Sequence, residues 1–242
     1  LPEAAKHTLT AHEELAEEGA KVVNQYGCRT CHVADHQWGQ LTMYMNDPNN
    51  GAPPFMPVGE RLKTDWLHDW LPNYKMVRPG KNLRMPSYPF TEDETKKVVG
   101  YFKHGSEVDY IDEVHDYTIT QSQWKEAGRM FKGLNCNLCH ANYEKNISKQ
   151  IERGGILGPA YEVSNERLRM DWLHKWLGNP TGEIPWTNMP AFWSGNPLPG
   201  YFDELKDDPA AQYELQIRAL SEYVYSIGDE ESPFPRVPEV DW

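Results

Sequence analysis

The chain of 242 residues carries one pentapeptide pattern twice, as Cys28-Arg29-Thr30-Cys31-His32 and as Cys136-Asn137-Leu138-Cys139-His140. These two stretches contain all four of its cysteines. A zinc site built on C-x-x-C pairs would close on the four thiols and leave both histidines as coincidence. A thioredoxin-like dithiol would need a βαβ setting that the sequence does not offer. Covalent haem uses every member of the pattern: two thiols two residues apart reach the two vinyl groups of one porphyrin, and the adjacent imidazole ligates its iron. The duplication therefore implies two covalently bound haem c groups, attached at Cys28 and Cys31 and at Cys136 and Cys139, with His32 and His140 on the irons. No thiol remains for a disulfide or for a further axial ligand.

The repeat extends well beyond the pentapeptide. The stretch from Arg61 to Leu71 matches that from Arg167 to Leu177 at eight of eleven positions, and Met85-Pro86-Ser87-Tyr88 is answered by Met189-Pro190-Ala191-Phe192. Offsets of 108 at Cys28 and Cys136, 106 at Arg61 and Arg167, and 104 at Met85 and Met189 mean one domain present twice. The periodicity predicts the same helix order in each copy. A helix over 8–26 buries Leu15, Ala16, Gly19, Val22 and Val23, and one over 121–134 buries Trp124, Ala127, Met130 and Phe131. Each leads into a C-x-x-C-H motif. A Gly/Pro-rich loop over 33–55 follows the first motif, and a Pro-Gly turn is expected at Pro79-Gly80. Short amphipathic helices over 61–71 and 167–177 come next. The last helix of the first copy starts at a Thr91-x-x-Glu94 capping box and ends near Gly105. Its counterpart runs over about 209–227. The fold class is all-α, with a first domain over 8–105, an acidic linker over 106–120, a second domain over 121–228 and a proline-rich acidic tail over 229–242. The second copy also holds an extra loop over 194–208. Exposed loops and tails of this kind carry partner contacts or trail as poorly ordered ends.

With helix, C-x-x-C-H, loop, middle helix, Met-Pro pair and final helix in that order, each half resembles a class I cytochrome c domain. The whole chain resembles the dihaem class I cytochromes that carry electrons between bacterial respiratory or photosynthetic complexes. The resemblance implies that the first and last helices of each half cross. It also implies that a methionine before the last helix is the sixth ligand, here Met85 and Met189. Met85 lies 53 residues past His32 and Met189 lies 49 past His140. Met56 and Met76 remain rivals for the first iron. Gly158-Pro159 resembles the family's Gly-Pro pair that packs on the proximal histidine, whereas the first half has Ala52-Pro53-Pro54-Phe55.

Four further residues pair across the repeat and can donate hydrogen bonds to buried propionates: Arg61 with Arg167, and Trp66 with Trp172. Simple helix packing for the tryptophans and a solvated face for the arginines are the alternatives. His68 and His174 share a repeat position, which suggests either distal ligands or hydrogen-bonded surface residues. His7, His12, His36, His104 and His115 have no partners in the repeat and are expected to face solvent.

Net charge is −12 and no run approaches a membrane span. Nucleic acid is thereby excluded as a natural partner, and a redox protein with a basic docking face is favoured. Haem c is attached outside the cytoplasm, so the expected location is periplasmic or cell-surface, with the chain soluble or held by a lost anchor or a partner. These features together describe an extracytoplasmic dihaem electron carrier. A fixed relay subunit of a membrane oxidoreductase, reaction centre or haem filament is the alternative, and a dihaem peroxidase-type enzyme fits less well because both halves offer a methionine.

Overall fold

The computed structural model describes residues 9–34, 39–47, 50–78, 85–106, 115–152 and 158–238. Among them there are helices and no β-strand. No helix among them is long and apolar enough to cross a membrane. The chain divides into two compact units, Leu1–Tyr74 with Met85–Asp112 and Lys75–Arg84 with Glu113–Trp242. The expected Pro79-Gly80 turn, His7, His36 and residues 107–114 of the expected linker lie outside the described residues.

The first unit contains helices α1 (Ala11–Gln25), α2 (Gln40–Met43), α3 (Val58–Arg61), α4 (Thr64–Trp70) and α5 (Glu92–Gly105). Capping boxes start both long helices, at Thr10 with Glu13 and at Thr91 with Glu94. In each box two orphan N–H groups are satisfied reciprocally. Helix α1 packs along α5, burying Ala16, Gly19, Val22 and Val23 against Val98, Val99, Gly100 and Phe102. The approach is too close for side chains at its centre. A Cβ at position 19 would fall 1.9 Å from the Lys97 carbonyl oxygen, and one at 100 would fall 2.6 Å from Leu15 Cγ. The helix expected over 61–71 is broken at Leu62, whose extended backbone separates α3 from α4. Lys103, fully buried near the end of α5, donates to the Leu62 carbonyl at 2.7 Å and to Gly59 at 3.1 Å. A buried ammonium that donates to carbonyls at this break closes α5 onto the α3–α4 corner.

The second unit repeats this plan with helices α6 (Gln121–Gly133), α7 (Ile147–Glu152), α8 (Ser164–Arg167), α9 (Met170–Gly178), α10 (Pro180–Glu183) and α11 (Pro209–Tyr225). Helix α6 starts at a Thr120–Gln123 capping box and packs on α11. The helix break recurs at Leu168, and the Tyr225 hydroxyl donates to its carbonyl at 3.0 Å. A lysine ammonium in one copy and a tyrosine hydroxyl in the other thus serve the same backbone acceptor.

The loop over 194–208 and the tail as far as Pro238 are packed rather than free, and residues 239–242 of the expected tail lie outside the described residues. Gln216, wholly buried in α11, accepts from Trp193 Nε1 at 3.0 Å and from the Leu198 N–H at 2.7 Å. Its amide donates back to the carbonyls of Leu198 and Tyr201. Phe202 inserts with 1% exposure. From the tail, Val237 is buried and Phe234 stacks on Trp124 with ring centroids 5.6 Å apart. Sequence periodicity registers neither segment because neither has a regular repeat, only single anchoring side chains.

The end of the stretch expected as linker is likewise tied down. Glu222 of α11 is 1% exposed. It accepts from the Thr118 hydroxyl at 2.7 Å and from the N–H groups of Thr118 and Ile119 at 2.9 and 3.1 Å, with His115 Nε2 at 3.7 Å. His115 therefore faces a buried carboxylate and two tyrosine rings, Tyr117 and Tyr225, instead of solvent. Burial alone would raise the Glu222 carboxyl, but these donors outweigh it and hold its pKa below the usual carboxylate range. A depressed folded-state pKa gives stability that is present above the unfolded value of ~4.3 and is lost as pH falls through the folded value. Glu222→Gln is expected to lower the stability of the second unit at neutral pH by about 1.5–3 kcal/mol, the range for charge-assisted hydrogen bonds. The difference from the parent chain should shrink as pH falls below the carboxylate range, as read by denaturant unfolding at a series of pH values.

Candidate functional site

Each C-x-x-C-H motif folds as a single tight turn entered through a left-handed residue. Gly27 (φ 64°) precedes the 3-10 turn Cys28–Thr30, and Asn135 (φ 53°) precedes Cys136–Leu138. Glycine and asparagine are the residues that tolerate this region best. The two turns share their hydrogen bonds: the N–H of Cys31 and of His32 donate to the Cys28 carbonyl at 3.2 and 3.1 Å. Those of Cys139 and His140 donate to the Cys136 carbonyl at 3.3 and 3.1 Å. Both thiols of each pair and the following imidazole therefore leave one turn of backbone. All four cysteines are half-buried and unbridged.

The imidazoles are oriented by the chain that follows. His32 Nδ1 lies 2.7 Å from the Pro53 carbonyl oxygen, and His140 Nδ1 lies 2.8 Å from that of Pro159. A carbonyl can only accept, so each Nδ1 carries the proton and each Nε2 is left with a lone pair. An aromatic ring stacks on each imidazole, Phe55 on His32 at 4.6 Å and 26°, and Tyr161 on His140 at 4.7 Å and 23°. Pro53 with Phe55 and Pro159 with Tyr161 both align at an offset of 106, so the Ala52-Pro53-Pro54-Phe55 stretch supplies the same two contacts as its counterpart. The halves differ in what they demand at the preceding position. A Cβ at Gly158 would fall 2.2 Å from His140 Cε1, whereas the first unit has Ala52 there. The stacked aromatic escapes a reading based on motifs, although the shared offset carries it.

Burial lowers the pKa of both imidazoles, against the opposing effect of the proline carbonyls, and the Arg61 charge adds to this at His32. Both rings therefore stay neutral, the form in which imidazole can ligate a metal. Burial also pushes the Cys28 thiol upward and the Cys136 thiol to about 12. Among the described residues no group of three or more His, Cys, Asp and Glu side chains converges as a metal cage. Each motif accordingly presents one imidazole nitrogen and two thiols.

Arg61 is buried at the end of α3, contrary to a solvated face, and Arg167 is half-buried at the end of α8. Trp66 stacks on Trp70 at 5.3 Å, and Trp172 stacks on Trp176 at 5.1 Å. His68 Nε2 lies 3.3 Å from Glu92 of α5, and His174 Nε2 lies 3.4 Å from Glu214 of α11. These two histidines thus bridge the middle helix to the last helix in both copies. His12 and His104 are exposed.

Met85 and Met189 are half-buried in irregular backbone ahead of the last helix of each unit. The Met85 segment runs close to the first motif. Tyr88 packs edge-on to Tyr26 at 5.4 Å, and burial together with the Cys28 and Cys31 sulfurs pushes its phenol upward. Met56 is 47% exposed, and Met76 belongs to the Lys75–Arg84 segment that groups with the second unit.

Because the Gly158 approach leaves no room for a methyl group, Gly158→Ala is expected to push the His140 ring off the Pro159 carbonyl. The expected loss of stability in the second unit is about 1–3 kcal/mol, the range for overpacking. Ala52→Gly should leave His32 in place. Nitrogen-15 NMR of the imidazoles reads both, and an unmoved His140 signal in Gly158→Ala would count against the close approach. No family model matches the chain, and neither a curated protein nor a solved structure matches it.

Proposed function

We propose that the chain is an extracytoplasmic dihaem cytochrome c, made of two tandem class I cytochrome c-like domains, that carries single electrons between redox protein partners. The observation that carries this reading is the twofold occurrence of one arrangement. Two thiols and an imidazole leave a single turn, and a proline carbonyl holds the imidazole Nδ1 at 2.7 Å in one copy and 2.8 Å in the other.

The donor set fits haem c: thiols spaced for two vinyl groups, and a neutral Nε2 ready for the iron. A haem held by these residues would supply one-electron exchange, and an imidazole with a thioether would set its potential high. The rest falls to the protein's own residues. Pro53 and Pro159 fix the tautomer and the ring rotation, and Phe55 and Tyr161 brace the ring from one face. Tyr88 holds the segment that begins with Met85 near the Cys28–Cys31 turn, which supports Met85 as the sixth ligand. Met56 follows Pro53 by three residues, in the loop whose carbonyl holds His32 Nδ1, and is 47% exposed, which favours Met85 over it. Met189 takes the equivalent role in the second unit. Buried Arg61, whose charge reaches His32, supplies positive charge near the first ligand set, where propionates would need a counterion, and Arg167 holds the same repeat position in the second. The net charge of −12 steers the chain toward a basic docking face on its partners.

The test is the absorption spectrum of the isolated chain, resting and reduced. Two low-spin haems with the weak far-red sulfur-to-iron band are expected. Met85→Ala and Met189→Ala should each remove about half of that band, because each takes the thioether from one iron. A high-spin haem in the resting parent chain would overturn the carrier reading in favour of an open iron position.

A further inference from the structure

The two motifs are built alike, and among the described residues the second is gripped by a segment outside its repeat. Ala141, Asn142 and Tyr143 follow His140 directly and are buried, at 0%, 2% and 5% exposure. The Tyr143 hydroxyl donates to the Val237 carbonyl at 2.6 Å, and the Asn142 amide donates to the Pro238 carbonyl at 3.2 Å. The Arg236 guanidinium lies over the Tyr143 ring at 5.3 Å. Upstream, the tail is pinned by Phe234 between Trp124 and Tyr117, and by the Tyr117 hydroxyl donating to Asp229 at 2.7 Å.

The gripped segment also carries the wall behind the imidazole. Tyr161 N–H donates to the Ala141 carbonyl and Glu162 N–H to the Asn142 carbonyl, both at 2.9 Å. Those bonds hold Pro159 and Tyr161, the two residues that orient His140, beside the motif. In the first copy the offset of 108 puts Ala34 and Asp35 where Asn142 and Tyr143 stand. Neither can make the amide or phenol contacts.

We infer that residues 229–238 are a clamp that positions His140 through Asn142 and Tyr143, making the second motif more rigid than the first. Residues 229–238 are therefore an element of the second site and not a free docking arm. In the part that concerns iron, the inference rests on the haem reading above.

The test compares the parent full-length chain with Phe234→Ala/Val237→Ala and with Tyr143→Phe. Amide hydrogen exchange is followed on each chain as isolated, whatever it carries. Removing the anchors should speed exchange over 139–143 and 158–162 by about tenfold or more while leaving 31–34 and 52–55 unchanged, because a segment opens locally according to its own buried packing and hydrogen bonds. Tyr143→Phe should act in the same direction with a smaller effect, and it keeps the test decisive if the double variant fails to fold. Exchange that is unchanged, or that rises equally in both motifs, overturns the clamp. In a chain that carries both haems, a redox titration should show one midpoint moved and the other in place, a change that loosening of the tail alone would not produce. A chain isolated without haem from a system that attaches haem c would overturn the proposed function, and the exchange contrast would still decide the clamp.

Discussion

Each half of this protein depends on one hydrogen bond, from an imidazole Nδ1–H to a proline carbonyl. The bond decides which nitrogen is free and in what direction it points. Most of the local architecture follows from the need to make it. The chain must turn sharply enough at Gly27 or Asn135 to bring two cysteines and a histidine onto one turn. It must then return some twenty residues later with a carbonyl that has no competing use. Proline suits that return because it lacks an N–H and its ring limits the backbone. The aromatic two residues further on lies flat on the imidazole, so the ring is held by a polar contact at one edge and a packed face.

Much of this plan was legible in the sequence. The duplicated pentapeptide, the capping box at Thr91 and the buried stripe of α1 each follow local rules that tertiary context does not override; the matching box at Thr10 was missed. Less legible were features made by single residues reaching across the chain. Ala52-Pro53-Pro54-Phe55 looks like a departure from Gly158-Pro159, yet the contact needs only a carbonyl and a flat ring, and both stretches supply them. The break at Leu62 was hidden because the apolar stripe runs through it. His115 was expected in solvent but faces Glu222, since a linker composition says nothing about which buried carboxylate lies opposite. The shared positions of His68 and His174 were visible, whereas their partners Glu92 and Glu214 required the fold.

The two copies also show how a duplicated module diverges without losing its geometry. Lys103 and Tyr225 satisfy the same carbonyl with different chemistry. Phe55 and Tyr161 brace the same ring, one without a hydroxyl and one with it. The second copy carries outer layers: a loop fastened by Gln216, a carboxylate at Glu222 that gathers the incoming chain, and a tail anchored by Phe234 and Val237. The first two layers rest on buried polar groups, Gln216 and Glu222, whose side-chain atoms are hydrogen-bonded, which is the condition under which burying them is tolerated.

The central claim is that both motifs are attachment sites of one kind, and the intact mass of the isolated chain tests it most directly. The chain purified from an extracytoplasmic expression system that attaches haem c is predicted to weigh the sum of the polypeptide and two haems. Digestion should place one haem on the peptide with Cys28 and Cys31 and one on the peptide with Cys136 and Cys139. A chain of unmodified mass, or one with haem at a single motif, would contradict the account.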